Sequence, residues 1–264
     1  MTIPADSQTA KKGFTIIEVM LVLALTGLLI VGMLGGTFTA IASQRYNDSV
    51  RSFAEYLRTI YGEVMSPESF GEGNSMKEAV FGKVLVFGYP YSDVDDARAV
   101  YSATIVGDAN IPLSISGGFM DELKNQQAKL YCGSASSLST QDYYRPLWEA
   151  ELTTANDASK RFTGTVIIGR SPTSGTVHTY FSENKTYDLR DGCTGASQSA
   201  SAAFAADIQS GGGFQNTTDI GFCVKSTNAR IFREVRIAAD GRNTSAISIL
   251  DVDPSTPGEV NRCL

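Results

Sequence analysis

Histidine is almost absent from this chain, which narrows the chemistry that the chain can carry out. The 264 residues contain one histidine, His178, in a Thr/Val/Tyr segment typical of a strand. A Ser/His/Asp triad would have to use it, and a zinc site could draw on no second histidine. No P-loop, G-x-S-x-G or H-E-x-x-H motif occurs. The sequence therefore argues against an enzyme and predicts neither a metal nor a cofactor.

Basic residues are too few for a general nucleic-acid surface. The chain has 22 Lys and Arg against 28 Asp and Glu, a formal net charge of −6, whereas such a surface needs a basic patch. Asp93, Asp95 and Asp96 form an acidic turn, but they lack the spacing of an EF-hand loop. A solvated acidic loop is the simpler interpretation, with calcium binding as the alternative.

Cysteine is scarce and never forms a C-x-x-C pair. Its four positions are Cys132, Cys193, Cys223 and Cys263. An even number of cysteines in an extracytoplasmic domain predicts one or two disulfide bonds, and the sequence cannot choose the pairing. Four buried free thiols are the alternative. A zinc site is disfavoured by the spacing.

Charge is missing altogether from the run Val19–Gly36. A helix that spans a bilayer needs about 20 apolar residues, and adding Phe14–Ile17 or Thr37–Ala42 makes this one long enough. Lys11 and Lys12 precede the run, so the positive-inside rule places its N-terminal end in the cytoplasm and the rest of the chain outside.

Glu18 lies one turn inside this apolar helix. A carboxylate at that depth is costly and is usually paired; the alternative is a glutamate solvated at headgroup depth.

The stretch Lys-Lys-Gly-Phe-Thr-Ile-Ile-Glu-Val, followed by an uninterrupted apolar run, resembles the class III signal of type IV pilins and type II secretion pseudopilins. The resemblance implies that prepilin peptidase cuts after Gly13 and that Phe14 becomes the N-methylated terminus. It also implies that Glu18 neutralises the amino terminus of a neighbouring subunit in a filament. A secretory signal with a small-residue cleavage site fits less well, because the apolar run continues without a break.

One long helix is predicted from Phe14 to Ser66, where Pro67 follows. We divide the chain into a leader (1–13), a transmembrane or filament-core helix (14–42), an amphipathic helix (43–66) and an extracytoplasmic β-rich head (67–264). The amphipathic part carries an apolar stripe at spacings of three and four. The stripe consists of Tyr46, Val50, Phe53, Leu57, Ile60 and Val64. It must be buried against the head, a two-stranded coiled coil being the alternative.

Three glycines, Gly32, Gly35 and Gly36, mark the boundary between the two parts of the helix. Glycine weakens a helix by roughly 1 kcal/mol relative to alanine, which would allow a bend or local melting there. The alternative is close helix packing, because Gly32 and Gly36 have small-x-x-x-small spacing.

Strand patterns dominate the head. We expect a hairpin over Phe162–Phe181, a closing hairpin around Asp240-Gly241, and a short helix or surface loop over Cys193–Gly213. Further strands are predicted at Ala79–Gly88, Val100–Val106, Trp148–Thr153 and Gly221–Lys225. A long helix followed by strands predicts an α+β fold, with the helix packed on a mainly antiparallel sheet, as in pilins.

These observations predict a filament subunit, a minor pilin or a pseudopilin, used in adhesion, motility, DNA uptake or secretion. Its partners would be other pilin subunits, prepilin peptidase and the membrane. It would lie in the inner membrane before assembly and in an extracellular pilus or pseudopilus afterwards. A membrane-tethered binding module that does not polymerise is the alternative.

The closing hairpin also resembles that of minor pilins related to general-secretion protein H and fimbrial protein T, some of which bind DNA near a Gly-Arg pair. Here Arg233, Arg236 and Arg242 are present, but Asn243 and Thr244 follow instead of further arginines. DNA is therefore not expected as a partner.

Overall fold

The computed structural model describes residues 15–66, 78–89, 98–108, 111, 118–131, 143–154, 157–183, 185–189, 196–216, 219–226, 233–239 and 241–251. The chain divides into two compact units, Met1–Gln44 and Arg45–Leu264. The long N-terminal helix and the antiparallel sheets confirm the predicted α+β, pilin-like fold.

Helix α1 extends from Ile16 to Met65 and passes through all three boundary glycines without interruption. The helix is therefore continuous at the three glycines in the single chain, and a bend or local melting within a filament stays a prediction. A Cβ at Gly35 or Gly36 would meet nothing within 4 Å. At its C-terminal end, Arg170 donates from Nη1 to the Met65 carbonyl at 3.0 Å. The guanidinium group donates to a carbonyl that has no partner within the helix, and its positive charge complements the helix dipole.

The amphipathic part of α1 is buried along the predicted stripe. All six predicted positions are 4% exposed or less, which confirms the one-sided pattern. Ser49, Ala54 and Tyr61 lie on the same buried face and were missed.

The described strands form two sheets, whereas the sequence predicted one. In chain order, the strands are β1 (Glu78–Phe87), β2 (Val100–Asp108), β3 (Lys129–Leu130), β4 (Tyr143–Tyr144), β5 (Glu151–Thr154), β6 (Asp157–Arg161), β7 (Gly164–Arg170), β8 (Val177–Ser182), β9 (Ile220–Lys225), β10 (Arg233–Ile237) and β11 (Ile247–Asp251). One sheet has the order β3-β2-β1-β7-β8, with β4 also beside β2, and the other has the order β11-β10-β9-β5-β6. The assigned neighbours pair antiparallel.

Within the described ranges, two further α-helices accompany the sheets: α2 (Phe119–Asn125) and α3 (Ala196–Ser210). Helix α3 decides between the two alternatives for Cys193–Gly213, since that segment contains a helix. Both predicted hairpins are confirmed, by the pairs β7–β8 and β10–β11.

The first sheet is buried on both faces. Leu85 and Phe87 of β1 point into a core shared with the α1 stripe and the second sheet. Val84 and Val86, on the opposite face, point into a second core, which includes Leu123 of α2 and Phe204 of α3. A strand that is buried on both faces has a continuous apolar sequence. The Val-Leu-Val-Phe segment of β1 therefore shows no alternation of apolar and polar residues.

Two glycines allow close packing at the first sheet, Gly82 against the backbone of β7 and Gly169 against α2. Gly82 and Gly169 are direct partners across β1 and β7. Gly82 has φ +154° at a bulge in β1, and an added Cβ would collide with the Ile168 carbonyl. At Gly169 an added Cβ would collide with the Phe119 ring. Both positions therefore require glycine.

Candidate functional site

The apolar half of α1 is exposed on every side. Its large hydrophobic side chains between Ile16 and Ile41 are 45% to 79% exposed. Among the described residues, α1 is the helix that is long and apolar enough to cross a membrane, with an 18-residue window of mean hydropathy 2.5 and none of that window buried. Exposed apolar surface of this extent marks a site that lipid or another protein covers.

Threonine hydroxyls do not interrupt this surface. Thr26 donates to the Val22 carbonyl at 2.8 Å, and Thr37 donates to the Leu34 carbonyl at 2.9 Å. Each unsatisfied polar group in a hydrocarbon layer costs several kcal/mol. Because the helix backbone satisfies these hydroxyls, the segment is compatible with lipid or with tightly packed neighbouring helices.

Glu18 caps the start of its own helix. Its Oε2 accepts hydrogen bonds from the Thr15 backbone amide at 3.0 Å and the Thr15 hydroxyl at 3.2 Å. The Glu18 amide in turn donates to the Thr15 hydroxyl at 3.3 Å. This reciprocal arrangement is a capping box, in which the N-cap side chain and the residue at N3 satisfy each other's amides.

Thr15 was not predicted as a partner of Glu18, whose partner was expected on another subunit. The pattern Thr-x-x-Glu directly before an apolar helix is the sequence signature of a capping box. It would have identified Thr15 as a residue that positions the carboxylate. Glu18 therefore has a role in a single chain as well as the role predicted for it between chains.

Several predicted site residues lie outside the described residues. They are Gly13 and Phe14 at the cleavage site, Cys132, Cys193 and Cys263 among the cysteines, and Asp93, Asp95 and Asp96 in the acidic turn. Cleavage at Gly13, methylation at Phe14 and the alternative of calcium binding all stay predictions.

Cys223 is the cysteine that the structure describes. It is fully buried in β9. The disulfide bonds expected among the four cysteines, and their pairing, stay predictions.

Arg236, in the closing hairpin, pairs with acidic side chains. Arg236 donates from Nε to Glu234 Oε1 at 2.8 Å and from Nη2 to Glu234 Oε2 at 3.0 Å. Asp219 lies 3.8 Å from Arg236 Nη1. An arginine already paired with two carboxylates adds little positive potential. The expectation that DNA is not a partner stays a prediction.

His178 is a sheet histidine, as its sequence context predicted. It lies in β8, its Nε2 is 2.8 Å from the Thr176 hydroxyl, and its ring stacks on Phe119 with centroids 5.6 Å apart. These contacts give the side chain a packing role in the wall of the second core.

Comparison with known protein families gives a match at the start of the chain, which includes the first part of α1. Residues 8–34 match the family model of the prokaryotic N-terminal methylation motif. No curated protein and no solved structure matches the chain. The motif covers the Gly13/Phe14 junction, Glu18 and most of the exposed apolar segment. It indicates a type IV pilin-like protein of the kind that prepilin peptidase processes.

Proposed function

We propose that this chain is a filament subunit, a minor pilin or pseudopilin, that is cut after Gly13, N-methylated at Phe14 and assembled through the apolar half of α1. The observation that carries the proposal is the exposed apolar surface of α1 within the methylation motif. In a filament, neighbouring helices would bury that surface. The filament would serve adhesion, motility, DNA uptake or secretion.

Electrostatics gives Glu18 a role in setting the register of assembly. Cleavage before Phe14 creates an ammonium group at the head of an apolar helix, where an isolated charge is costly. Hydrogen bonds from Thr15 satisfy the Glu18 carboxylate but leave its charge uncancelled. Pairing with the ammonium of a neighbour cancels both charges, and the two helices must then be shifted along their axes by a fixed amount.

The capping box suggests an order of events. Thr15 holds the Glu18 carboxylate in place while the subunit waits in the inner membrane, with its N-terminus on the cytoplasmic side. When a neighbouring subunit arrives, its ammonium group takes over the carboxylate. The folded Arg45–Leu264 unit, which already lies outside the cytoplasm, then moves with α1 into the filament.

A membrane-tethered binding module that does not polymerise is the second candidate function, and the capping box is the observation that favours it. A Thr15–Glu18 cap gives the glutamate a purpose within one helix. Substituting an N-cap residue by alanine typically costs about 1 kcal/mol of helix stability. In a protein that is only tethered to the membrane, capping of the helix would be a sufficient role for Glu18.

Two substitutions separate the roles. Glu18→Gln removes the charge but preserves a capping box, which accepts Glu or Gln at this position. Thr15→Ala removes the capping side chain but preserves the charge. We expect Glu18→Gln to remain in the membrane and be depleted from sheared filaments, Glu18→Asp to be partly tolerated, and Thr15→Ala to enter filaments.

The measurement is the ratio of subunit in sheared filaments to subunit in the membrane fraction. Intact mass confirms that each variant is processed, since Thr15 adjoins the cleavage site. If Glu18→Gln enters filaments as well as the wild type does, the carboxylate does not set register and the tethered module becomes the better account.

A further inference from the structure

Trp148 is the one tryptophan of the chain, and the fold displays it on the surface. It sits in a 3-10 turn, Leu147–Glu149, with φ 56° and ψ 39°. That left-handed conformation is uncommon for a bulky residue and points to a functional reason for keeping it. Trp148 is 53% exposed and Leu147 is 44% exposed. The sequence predicted a strand here, so the turn was not anticipated.

The turn is fastened to the part of α1 that follows the apolar segment. Tyr144 stacks on Tyr56 with centroids 4.7 Å apart and donates to the Ser52 hydroxyl at 3.2 Å. Farther along the chain, Trp148 lies against Arg45, whose guanidinium carbon is 4.6 Å from the ring centroid. The segment from Tyr144 to Trp148 therefore runs back along α1 toward earlier residues.

Arg45 marks the end of the apolar segment in the sequence. It is the first charged residue after Glu18, so a bilayer that surrounds the apolar segment places Arg45 at the level of the lipid headgroups. Tryptophan is enriched at that level, because its ring is apolar and its N–H can still reach water. An arginine near the ring adds a cation–π contact.

We propose that Leu147 and Trp148 dock in the headgroup layer of the membrane that holds α1, before the subunit enters a filament. The proposal rests on the membrane insertion included in the proposed function. The partner of the turn would be a lipid surface. The folded chain covers part of Trp148 with Arg45 and leaves the residue 53% exposed, and lipid would cover the exposed part.

Docking would depend on the indole and leucine rather than on net charge. The chain carries a formal charge of −6, which does not favour an anionic surface over a neutral one. We therefore expect the same docking in vesicles of phosphatidylcholine and in vesicles that also contain phosphatidylglycerol.

Tryptophan fluorescence tests this directly, because all of the emission comes from Trp148. The full chain is reconstituted into vesicles whose lipids carry bromine on the upper part of the acyl chain. We expect a blue-shifted emission relative to the protein unfolded in denaturant, strong quenching by the brominated lipid and weak quenching by aqueous iodide. The control is Trp148→Phe combined with Met65→Trp. Met65 is 41% exposed and lies about 30 Å farther along α1 than Arg45, so its tryptophan should be quenched by iodide and not by brominated lipid.

Flotation of the vesicles separates the possible failures. Protein that floats while Trp148 is quenched only by iodide contradicts the docking and leaves the membrane insertion intact. Emission that shifts with the ratio of protein to lipid, without quenching by bromine, shows a contact between copies and also overturns the docking. Protein that does not float contradicts both the docking and the membrane step of the proposed function.

Discussion

Tyrosine hydroxyls fasten the buried face of α1 to the strands around it. Tyr46 donates to the Val224 carbonyl of β9 at 3.0 Å, and the Tyr61 hydroxyl bonds the Thr179 hydroxyl of β8. Desolvation by burial raises the pKa of Tyr61 to about 12 and outweighs the hydrogen bond with Thr179, which lowers it. Burial likewise raises the pKa of Tyr144 to about 12 against the lowering effect of its bond to Ser52.

These shifts predict a loss of stability at alkaline pH. The pKa of Tyr61 is 10.0 when unperturbed and about 12 when folded, so the unfolded chain releases a proton at lower pH than the native one. The stability that this pKa difference contributes to the free energy of unfolding is fully present below pH 10 and disappears as pH rises toward 12. Chemical denaturation of the detergent-solubilised chain at a series of pH values measures it.

Tyr61→Phe is the matched variant for this prediction. It should cost about 1 kcal/mol near neutral pH through the lost hydrogen bond. Its free energy of unfolding should then fall less steeply than that of the wild type above pH 10. Identical slopes for the two proteins would show that Tyr61 does not titrate with unfolding.

Single residues were predicted unevenly from the sequence. Glu18 stood out because a charge interrupts an apolar run. Its partner Thr15 was missed, because the partner was expected on a neighbouring subunit. The left-handed backbone of Trp148 was also missed. Alternation from Trp148 to Thr153 indicated a strand, whereas β5 begins only at Glu151. Periodicity reports burial and cannot report a positive φ at one residue.

At the level of elements, α1 combines two surfaces with different requirements. Its first part is apolar on every side and exposed, and its second part has one buried stripe. The same residue type therefore plays two roles. Leu28 is 73% exposed and Leu57 is fully buried.

Matched leucine substitutions should separate those roles. Leu57→Ala removes buried atoms and leaves a cavity. We expect it to lower the free energy of unfolding by roughly 2–5 kcal/mol. Leu28→Ala removes no packing within the chain and should leave the free energy of unfolding of the Arg45–Leu264 unit unchanged. Denaturation of the two full-length variants in detergent, followed by near-ultraviolet circular dichroism, measures the difference. Equal losses in both variants would mean that the apolar segment packs on its own chain.

Elements with strong periodicity were predicted well. The α1 stripe repeats at helical spacing over many turns, and the β7–β8 hairpin has a clear turn cluster. The helix α2 and the two-residue strand β3 went unpredicted, because neither is long enough to show a period. Division of the strands into two sheets depends on long-range pairing, such as β5 with β9, which local sequence does not encode.

At the level of the whole molecule, the Arg45–Leu264 unit buries its apolar residues in two cores, whereas the apolar half of α1 buries none within the chain. If the proposed function holds, this contrast would let the subunit be stored in a membrane and then assembled. Lipid would cover the exposed apolar surface first, and neighbouring helices would cover it afterwards.

Mass spectrometry of the subunit in sheared filament fractions tests the central claim most directly. Cells that contain a prepilin peptidase should yield a polypeptide that begins at Phe14 and carries one N-methyl group. The membrane fraction should contain the same processed form. A polypeptide in those cells that begins at Met1 or Thr2, or a processed subunit that never enters the filament fraction, would contradict the account.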